Sequence, residues 1–135
     1  MNKPIAQLYK RARASGMNAK HALSTAKAIT EFNDLESAGL ARLCAEPEQE
    51  SYFSVFGEPD TESEREQIAA ALDRDGCYVV YTEIFFNDAW RHADSVGMCV
   101  YSNPLDPFEN WYVPDLMHAA VALRAKLDAD LCAAV

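Results

Sequence analysis

The sequence lacks the motifs that would fix a chemistry. Its five glycines stand singly, so it contains no glycine-rich phosphate loop. The Asp-x-Asp-x-Asp-Gly loop of calcium sites is also absent, and we expect neither a metal nor a cofactor. The cysteines are far apart, which excludes the Cys-x-x-Cys spacing of zinc ribbons and redox motifs. We therefore interpret Cys44, Cys77, Cys99 and Cys132 as small buried apolar residues.

Long hydrophobic runs are missing as well. No stretch of about 18 apolar residues exists, so no membrane span is expected. The N-terminus has no apolar signal core, and we expect a cytoplasmic protein. With 135 residues, 50% of them hydrophobic, the chain is long enough for a single domain, 1–135, with a substantial core.

Acidic residues are absent from the first 30 positions, although the chain as a whole carries a net charge of −9. A charge split of this kind indicates two surfaces with different partners, or a basic segment that packs on an acidic body. The bases of this N-terminal segment are Lys3, Lys10, Arg11, Arg13, Lys20 and Lys27.

Apolar residues at helical spacing predict two N-terminal helices, 4–14 and 19–32. Gly16 suits the left-handed position after the first helix, and Asn18 is a suitable N-cap for the second. We expect a basic helical hairpin, 1–32, packed on a sheet-and-helix body, 40–135. A DNA-binding helix-turn-helix is a weak match, because the second helix lacks base-reading side chains at its start.

The rest of the chain predicts strands and two further helices. Strands are expected at 40–45 and 51–56 around a turn at 46–49, then a helix, 62–74, capped by Thr61 or Asp60. Trp111, Tyr112 and Val113 should pack beneath an irregular segment, and Pro114 should open the last helix. The predicted fold class is α+β, with a four-stranded antiparallel sheet, an N-terminal helical hairpin, one middle helix and a C-terminal helix.

The centre of the chain predicts one long β-hairpin, with strands 77–86 and 90–101 joined by an Asn-Asp-Ala turn. A three-residue loop pairs Phe86 with Trp90 and puts Trp90 on an apolar core face. A two-residue loop instead pairs Phe85 with Trp90. We favour the three-residue loop because it separates apolar from polar side chains better.

Glu83, His92 and Asp94 are the one tight grouping of acids with a histidine. The two-residue register sets Glu83 opposite His92, an arrangement suited to general acid–base catalysis. We favour the simpler interpretation, a cross-strand charge pair. A nucleophilic cysteine beside His21, His92 or His118 also stays open, because the fold creates such pairs. The sequence leaves enzymatic activity undecided; we favour a non-enzymatic role and assign no catalytic residue.

The most pronounced charged feature is a run of eight carboxylates from Glu46 to Glu66, interrupted by one base, Arg65. Its simplest interpretation is a solvated face. If its loops lie close together, the run forms a negative surface that fits a basic protein groove, one that normally holds nucleic-acid phosphates. The residues assigned to this partner-binding surface are Glu46, Glu48, Glu50, Tyr52, Glu58, Asp60, Glu62, Glu64 and Glu66.

A second hypothesis uses the N-terminal helices to bind nucleic acid. Their basic side chains would contact phosphates. The net charge of −9 disfavours direct contact with a polyanion unless these bases stand apart from the acidic body. The residues assigned to this alternative are Lys10, Arg11, Arg13 and Lys20.

In size, acidity, the acidic run from Glu46 to Glu66 and the lack of catalytic motifs, the whole chain resembles small acidic single-domain proteins of phages and mobile elements. Many proteins of that class inhibit CRISPR or restriction systems, and some are similar to DNA in charge. The resemblance implies a non-enzymatic inhibitor that binds the nucleic-acid-handling surface of a host defence complex. Independently of it, a homodimer is a further option. The class shares no common motif, so no residue role is carried over, and the basic N-terminus departs from a DNA-like surface.

Overall fold

The structure is a computed structural model that describes residues 3–100 and 102–134. This part of the chain forms five helices and a three-stranded antiparallel sheet, so the α+β class is confirmed. In chain order the elements are α1 (Lys3–Ala14), α2 (Ala19–Ser37), β1 (Ala41–Pro47), α3 (Tyr52–Phe56), α4 (Glu62–Asp75), β2 (Tyr78–Phe86), β3 (Ala89–Cys99) and α5 (Tyr112–Ala134).

The core lies between one face of the sheet and helices α2 and α5. Val80 and Ile84 of β2 are fully buried in one cluster with Phe32 of α2 and Leu116 of α5. Thr82 lies on the same face, and its hydroxyl donates a 2.8 Å hydrogen bond to the Leu116 carbonyl oxygen, which satisfies a buried polar group. Because α2 supplies Phe32, the N-terminal hairpin shares the core of the sheet.

The helix ends follow the sequence signals closely. Gly16 has a φ of 103° after α1, in the left-handed region that favours glycine. The Asn18 side chain accepts a 2.8 Å hydrogen bond from the His21 N–H at the start of α2. At the start of α4, the Thr61 hydroxyl accepts one from the Glu64 N–H at 3.2 Å. Both predicted N-caps are confirmed.

The sheet has three strands in the order β1-β2-β3, and the predicted four-stranded sheet is wrong. The segment predicted as the additional strand, 51–56, is helical as α3. Its aromatic residues and Val55 are of types that strands favour, but Tyr52 and Phe56 are four residues apart, the spacing that brings side chains together on a helix. Their ring centroids lie 4.7 Å apart, and Gly57 ends the helix with a φ of 82°.

The turn of the β2–β3 hairpin has two residues, so the favoured three-residue loop is wrong. Phe85 pairs with Trp90. Asn87 and Asp88 have φ values of 52° and 63°, as a type I′ turn requires. Trp90 therefore lies on the outer face of the sheet, 37% exposed, and not in the core.

A bulge at Ala93 then changes the register. Glu83 pairs with His92 whereas Thr82 pairs with Asp94, so Ala93 is an extra residue in β3. From Thr82 back to Val80 the pairing is the one that the three-residue loop would have produced, and a second shift then pairs Tyr78 with Cys99. The register that the apolar pattern favoured therefore occurs only in the middle of the hairpin.

Several element boundaries also differ from the prediction. β1 continues to Pro47, where a turn is expected, and α2 continues to Ser37, five residues beyond its predicted end at 32. β3 ends at Cys99; the end of the predicted strand 90–101, at Tyr101, lies outside the described residues.

The start of α5 exposes a side chain that was expected to be packed. The helix begins at Tyr112, two residues before Pro114. Tyr112 and Val113 are buried as predicted, but Trp111 is 69% exposed. The prediction for Trp111 is therefore wrong.

Candidate partner-binding surface

Residues 48–77 leave the sheet at one end and return beside the point of departure. Pro47 and Tyr78, which flank them, are paired in the adjacent strands β1 and β2. The Glu48 N–H donates a 2.8 Å hydrogen bond to the Cys77 carbonyl oxygen. We call residues 48–77, which contain α3 and α4, the acidic excursion. It joins two strands that a two-residue turn is able to connect.

The acidic excursion packs lightly against the rest of the protein. Neither α3 nor α4 contains a buried residue, and Ile68 and Leu72 of α4 are only half-buried. Arg65 holds the two helices together, since its guanidinium lies 4.7 Å from the Phe53 ring centroid and 2.8 Å from the Glu58 carboxylate. This ion pair is exposed to solvent, so it contributes little to stability.

Helix α3 presents apolar side chains to solvent. The Tyr52 ring contacts the rings of Phe53 and Phe56, with centroid distances of 5.8 Å and 4.7 Å. Val55 is 46% exposed and Phe56 is 61% exposed. Single exposed apolar residues are ordinary, but neighbouring ones with a polar rim are typical of an interaction site.

Three of the eight predicted surface acids have partners within the protein. Glu46, in β1, accepts a 2.8 Å hydrogen bond from the Tyr81 hydroxyl, and this bond, together with burial, raises the pKa of Tyr81. Glu48 accepts a 3.2 Å hydrogen bond from the Met98 N–H. Glu58 forms the ion pair described above. These three acids therefore support the fold as well as the negative surface.

The other five acids are exposed. Within residues 3–100 and 102–134, no hydrogen bond or ion pair engages their carboxylates. Two of them lie in the first turn of α4, where the helix dipole favours negative charge. These carboxylates lie in the same segment as Val55 and Phe56. They are Glu50, Asp60, Glu62, Glu64 and Glu66.

The grouping of Glu83, His92 and Asp94 forms no catalytic relay. Glu83 lies opposite His92, but its carboxylate binds the Arg42 guanidinium at 2.6 Å. The Asp94 carboxylate accepts the N–H of Ser95 at 2.8 Å. No hydrogen bond joins either carboxylate to the imidazole in the described structure. Glu83 and His92 lie on the outer face of the sheet, where Glu83 forms a cross-strand pair with Arg42, whereas Asp94 pairs with Thr82 and lies on the other face.

The bases assigned to the nucleic-acid alternative lie on the surface. Arg11 stacks on Phe108, 4.2 Å from the ring centroid. A guanidinium nitrogen of Arg13 donates a 3.4 Å hydrogen bond to the Met17 carbonyl oxygen. The exposed bases of this group are Lys10, Arg11, Arg13 and Lys20.

The cysteines are free thiols and differ in exposure. Cys99 is buried, Cys44 and Cys77 are half-buried, and Cys132 is exposed, so the expectation of burial is wrong for Cys132. No group of three His, Cys, Asp or Glu side chains in the described part of the chain is able to hold a metal ion. Among the same residues, none of the helices has both the length and the apolar character needed to span a bilayer.

Besides Trp90, the exposed apolar residues that sequence reasoning missed include Val55, Phe56 and Trp111. Val55 and Phe56 were assigned to a strand, although carboxylates flank 52–56 on both sides and Gly57 follows directly. The flanking carboxylates and the glycine could have indicated that 52–56 lies at the surface. Trp111 is followed by Tyr-Val-Pro, and nothing in the local sequence distinguishes its exposure from the burial of its neighbours.

Comparison with known proteins gives no guide to the assignment of these residues. No known protein family, curated protein or solved structure matches it. The proposals below therefore rest on contacts, exposure and charge.

Proposed function

We propose that the protein is a non-enzymatic accessory factor that binds another protein through the acidic excursion and inhibits a nucleic-acid-handling host defence complex. One observation carries the proposal. Five carboxylates without internal partners share a segment outside the core with the exposed side chains of Val55 and Phe56. The partner is the basic surface of a protein that normally binds nucleic-acid phosphates.

The combination of carboxylates with the exposed Phe56 ring favours a protein partner. Interfaces typically have apolar, often aromatic, residues at the centre and polar residues at the rim. Phe56 would supply the central anchor, and the carboxylates would steer the approach and set its orientation. A merely solvated acidic face would account for the carboxylates but not for an exposed Phe56.

Inhibition in this proposal is by occupation of a surface. The carboxylates neutralise Lys and Arg side chains that otherwise contact phosphates, so inhibitor and nucleic acid compete for one groove. No reaction is required of the inhibitor. The proposal places it in the cytoplasm, and the four free thiols agree with a reducing compartment.

A pair of charge-matched variants tests the surface. The excursion variant combines Glu50→Gln, Glu62→Gln, Glu64→Gln and Glu66→Gln. The control variant removes four exposed carboxylates from α2 and α5, so its net charge changes by the same amount as that of the excursion variant. Its substitutions are Glu31→Gln, Asp34→Asn, Glu36→Gln and Asp130→Asn.

The assay measures how well cells that carry a CRISPR or restriction system accept a targeted plasmid. The wild-type protein and the control variant should raise the transformation efficiency, and the excursion variant should not. Phe56→Ser should lose the effect as well, with thermal stability unchanged because Phe56 is exposed. Protection by the excursion variant equal to that of the wild type, or no protection by any variant in the systems tested, would contradict the proposal.

A further inference from the structure

A second surface lies at the turn between α1 and α2, next to basic side chains of the helical hairpin. It is a shallow depression of about 490 Å³ between this turn and the segment that precedes α5. Met17 and His21 line it from the helical hairpin, and Phe108, Glu109 and Trp111 line it from the other side. The depression thus brings together the basic end of the chain and an exposed indole.

Trp111 is the most exposed of the large hydrophobic residues in the described structure, at 69%. Its contact with Tyr112 is T-shaped, with the ring planes at 83° and the centroids 5.8 Å apart. The two rings are therefore not stacked face to face. An indole that contributes so little to the core is suited to stack on a planar group from outside.

Three bases lie beside residues that line the depression. Arg11 lies over the Phe108 ring at 4.2 Å, so its charge is held at the rim of the depression. Arg13 is placed beside the depression by its hydrogen bond to the Met17 carbonyl oxygen. Lys20 lies in the first turn of α2, next to His21. Glu109 is the one carboxylate that lines the depression.

We propose that this depression binds single-stranded nucleic acid, with one base stacked on Trp111 and adjacent phosphates at Arg13 and Lys20. Proteins that bind single strands combine aromatic side chains, on which bases stack, with a basic track for the backbone. A short single strand needs only this local patch, whereas a duplex would extend its charge over the acidic body. The inference is independent of the acidic excursion, because it uses none of its residues.

The test uses the intact chain with Trp90→Phe, so that Trp111 is the only tryptophan. An oligothymidylate of about eight nucleotides should quench the Trp111 fluorescence at low salt. The affinity should fall as salt is added, because phosphate contacts release counterions. The same oligonucleotide with a fluorescent label gives the affinity by anisotropy for variants without tryptophan.

Substitutions separate stacking from charge. Trp111→Ala should weaken binding by about tenfold or more, and Trp111→Phe should restore most of it, since a phenyl ring also stacks. Arg13→Gln with Lys20→Gln should reduce the salt dependence of binding. The matched control, Lys27→Gln with Lys126→Gln, removes two exposed bases further along α2 and on α5, away from the turn between α1 and α2, and should leave binding nearly unchanged.

Four results would overturn the inference. The first two are the absence of quenching at low salt and unchanged affinity of a folded Trp111→Ala variant. The third is equal quenching of Trp111 by polyglutamate of similar length, which would assign the surface to acidic peptides. The fourth is tighter binding of a duplex of the same length, which should bind more weakly than the single strand. Because the acidic excursion is intact in every variant, failure here leaves the plasmid assay to decide the proposed function separately.

Discussion

The backbone N–H of Glu48 lies 2.8 Å from the carbonyl oxygen of Cys77 and donates a hydrogen bond to it. This bond continues the β1–β2 pairing one position beyond Pro47 and Tyr78. The acidic excursion therefore starts and ends on two strands that are already hydrogen-bonded to each other. The geometry of the sheet does not depend on the course that the chain takes between the two residues.

Replacing residues 49–76 with Asn-Gly should leave the rest of the protein folded. Asn-Gly forms the two-residue turn that antiparallel strands favour, and the removed helices contain no buried residue. Urea unfolding followed by circular dichroism should remain a single cooperative transition, with a smaller slope because less surface is exposed on unfolding. Loss of the transition would mean that the excursion is required for folding.

Gly76→Ala should destabilise the protein more than Gly39→Ala. Both glycines have positive φ, 77° and 75°, so both substitutions carry a backbone cost of about 1–2 kcal/mol. A Cβ atom at Gly76 would also lie 2.9 Å from the Tyr78 ring, whereas one at Gly39 would meet nothing within 4 Å. We expect an additional cost of about 1 kcal/mol for Gly76→Ala. Equal free energies of unfolding would show that the Tyr78 ring moves aside freely.

Asp88→Gly should stabilise the β2–β3 hairpin, and Asp88→Val should destabilise it. Asp88 has a φ of 63°, which glycine adopts without strain and a β-branched residue adopts poorly. The expected changes in the free energy of unfolding are about 1 kcal/mol in opposite directions. Urea unfolding of both variants checks this, and a neutral Asp88→Val would argue against the two-residue turn.

Phe32→Ala should destabilise the sheet as well as the helices. Phe32 is fully buried in the cluster that includes Val80 and Ile84, so its truncation should cost about 3–5 kcal/mol. Far-ultraviolet circular dichroism and tryptophan fluorescence should report the same shifted transition. Phe56→Ala, at an exposed position, should change the stability by about 0.5 kcal/mol or less. Separate transitions by the two probes would mean that the helical hairpin of α1 and α2 unfolds independently of the sheet.

The cysteines should react with iodoacetamide in an order set by burial. Cys132 is exposed and should be alkylated first. Burial raises the pKa of the Cys77 and Cys99 thiols, so a smaller fraction of each is the reactive thiolate near neutral pH. Their alkylation should accelerate as the pH rises toward about 9. Timed labelling read by mass spectrometry gives the order, and Cys99 reacting as fast as Cys132 would contradict the packing of β3.

The features that sequence predicted correctly have local causes. Asn18 and Thr61 cap helices because their side chains reach a backbone N–H three residues later, which involves no distant part of the chain. The strands of the hairpin were likewise found from their β-branched and aromatic residues. Helix α3 was missed because Tyr52 and Phe56 satisfy both the strand and the helix pattern, and only the fold decides between them.

The register and the candidate surfaces could be predicted only in part. Two registers fit the hairpin because the strand contains both, separated by the extra residue Ala93, and a bulge leaves little trace in composition. The acidic run was visible in the sequence, but Glu46 and Glu48 proved to have internal partners across the sheet. The exposure of Trp111 depends on how the segment before α5 crosses the helical hairpin, which no local pattern encodes.

The bulge at Ala93 also bears on how molecules of this protein meet one another. β3 is an 11-residue strand at the margin of the sheet, and such strands are templates on which a neighbouring chain adds its own backbone. The extra residue at Ala93 and the positive φ of Met98 interrupt the regular spacing of its outward N–H and C=O groups. Strand-to-strand growth into fibres is thereby disfavoured at this margin, and any self-association should use side-chain surfaces instead.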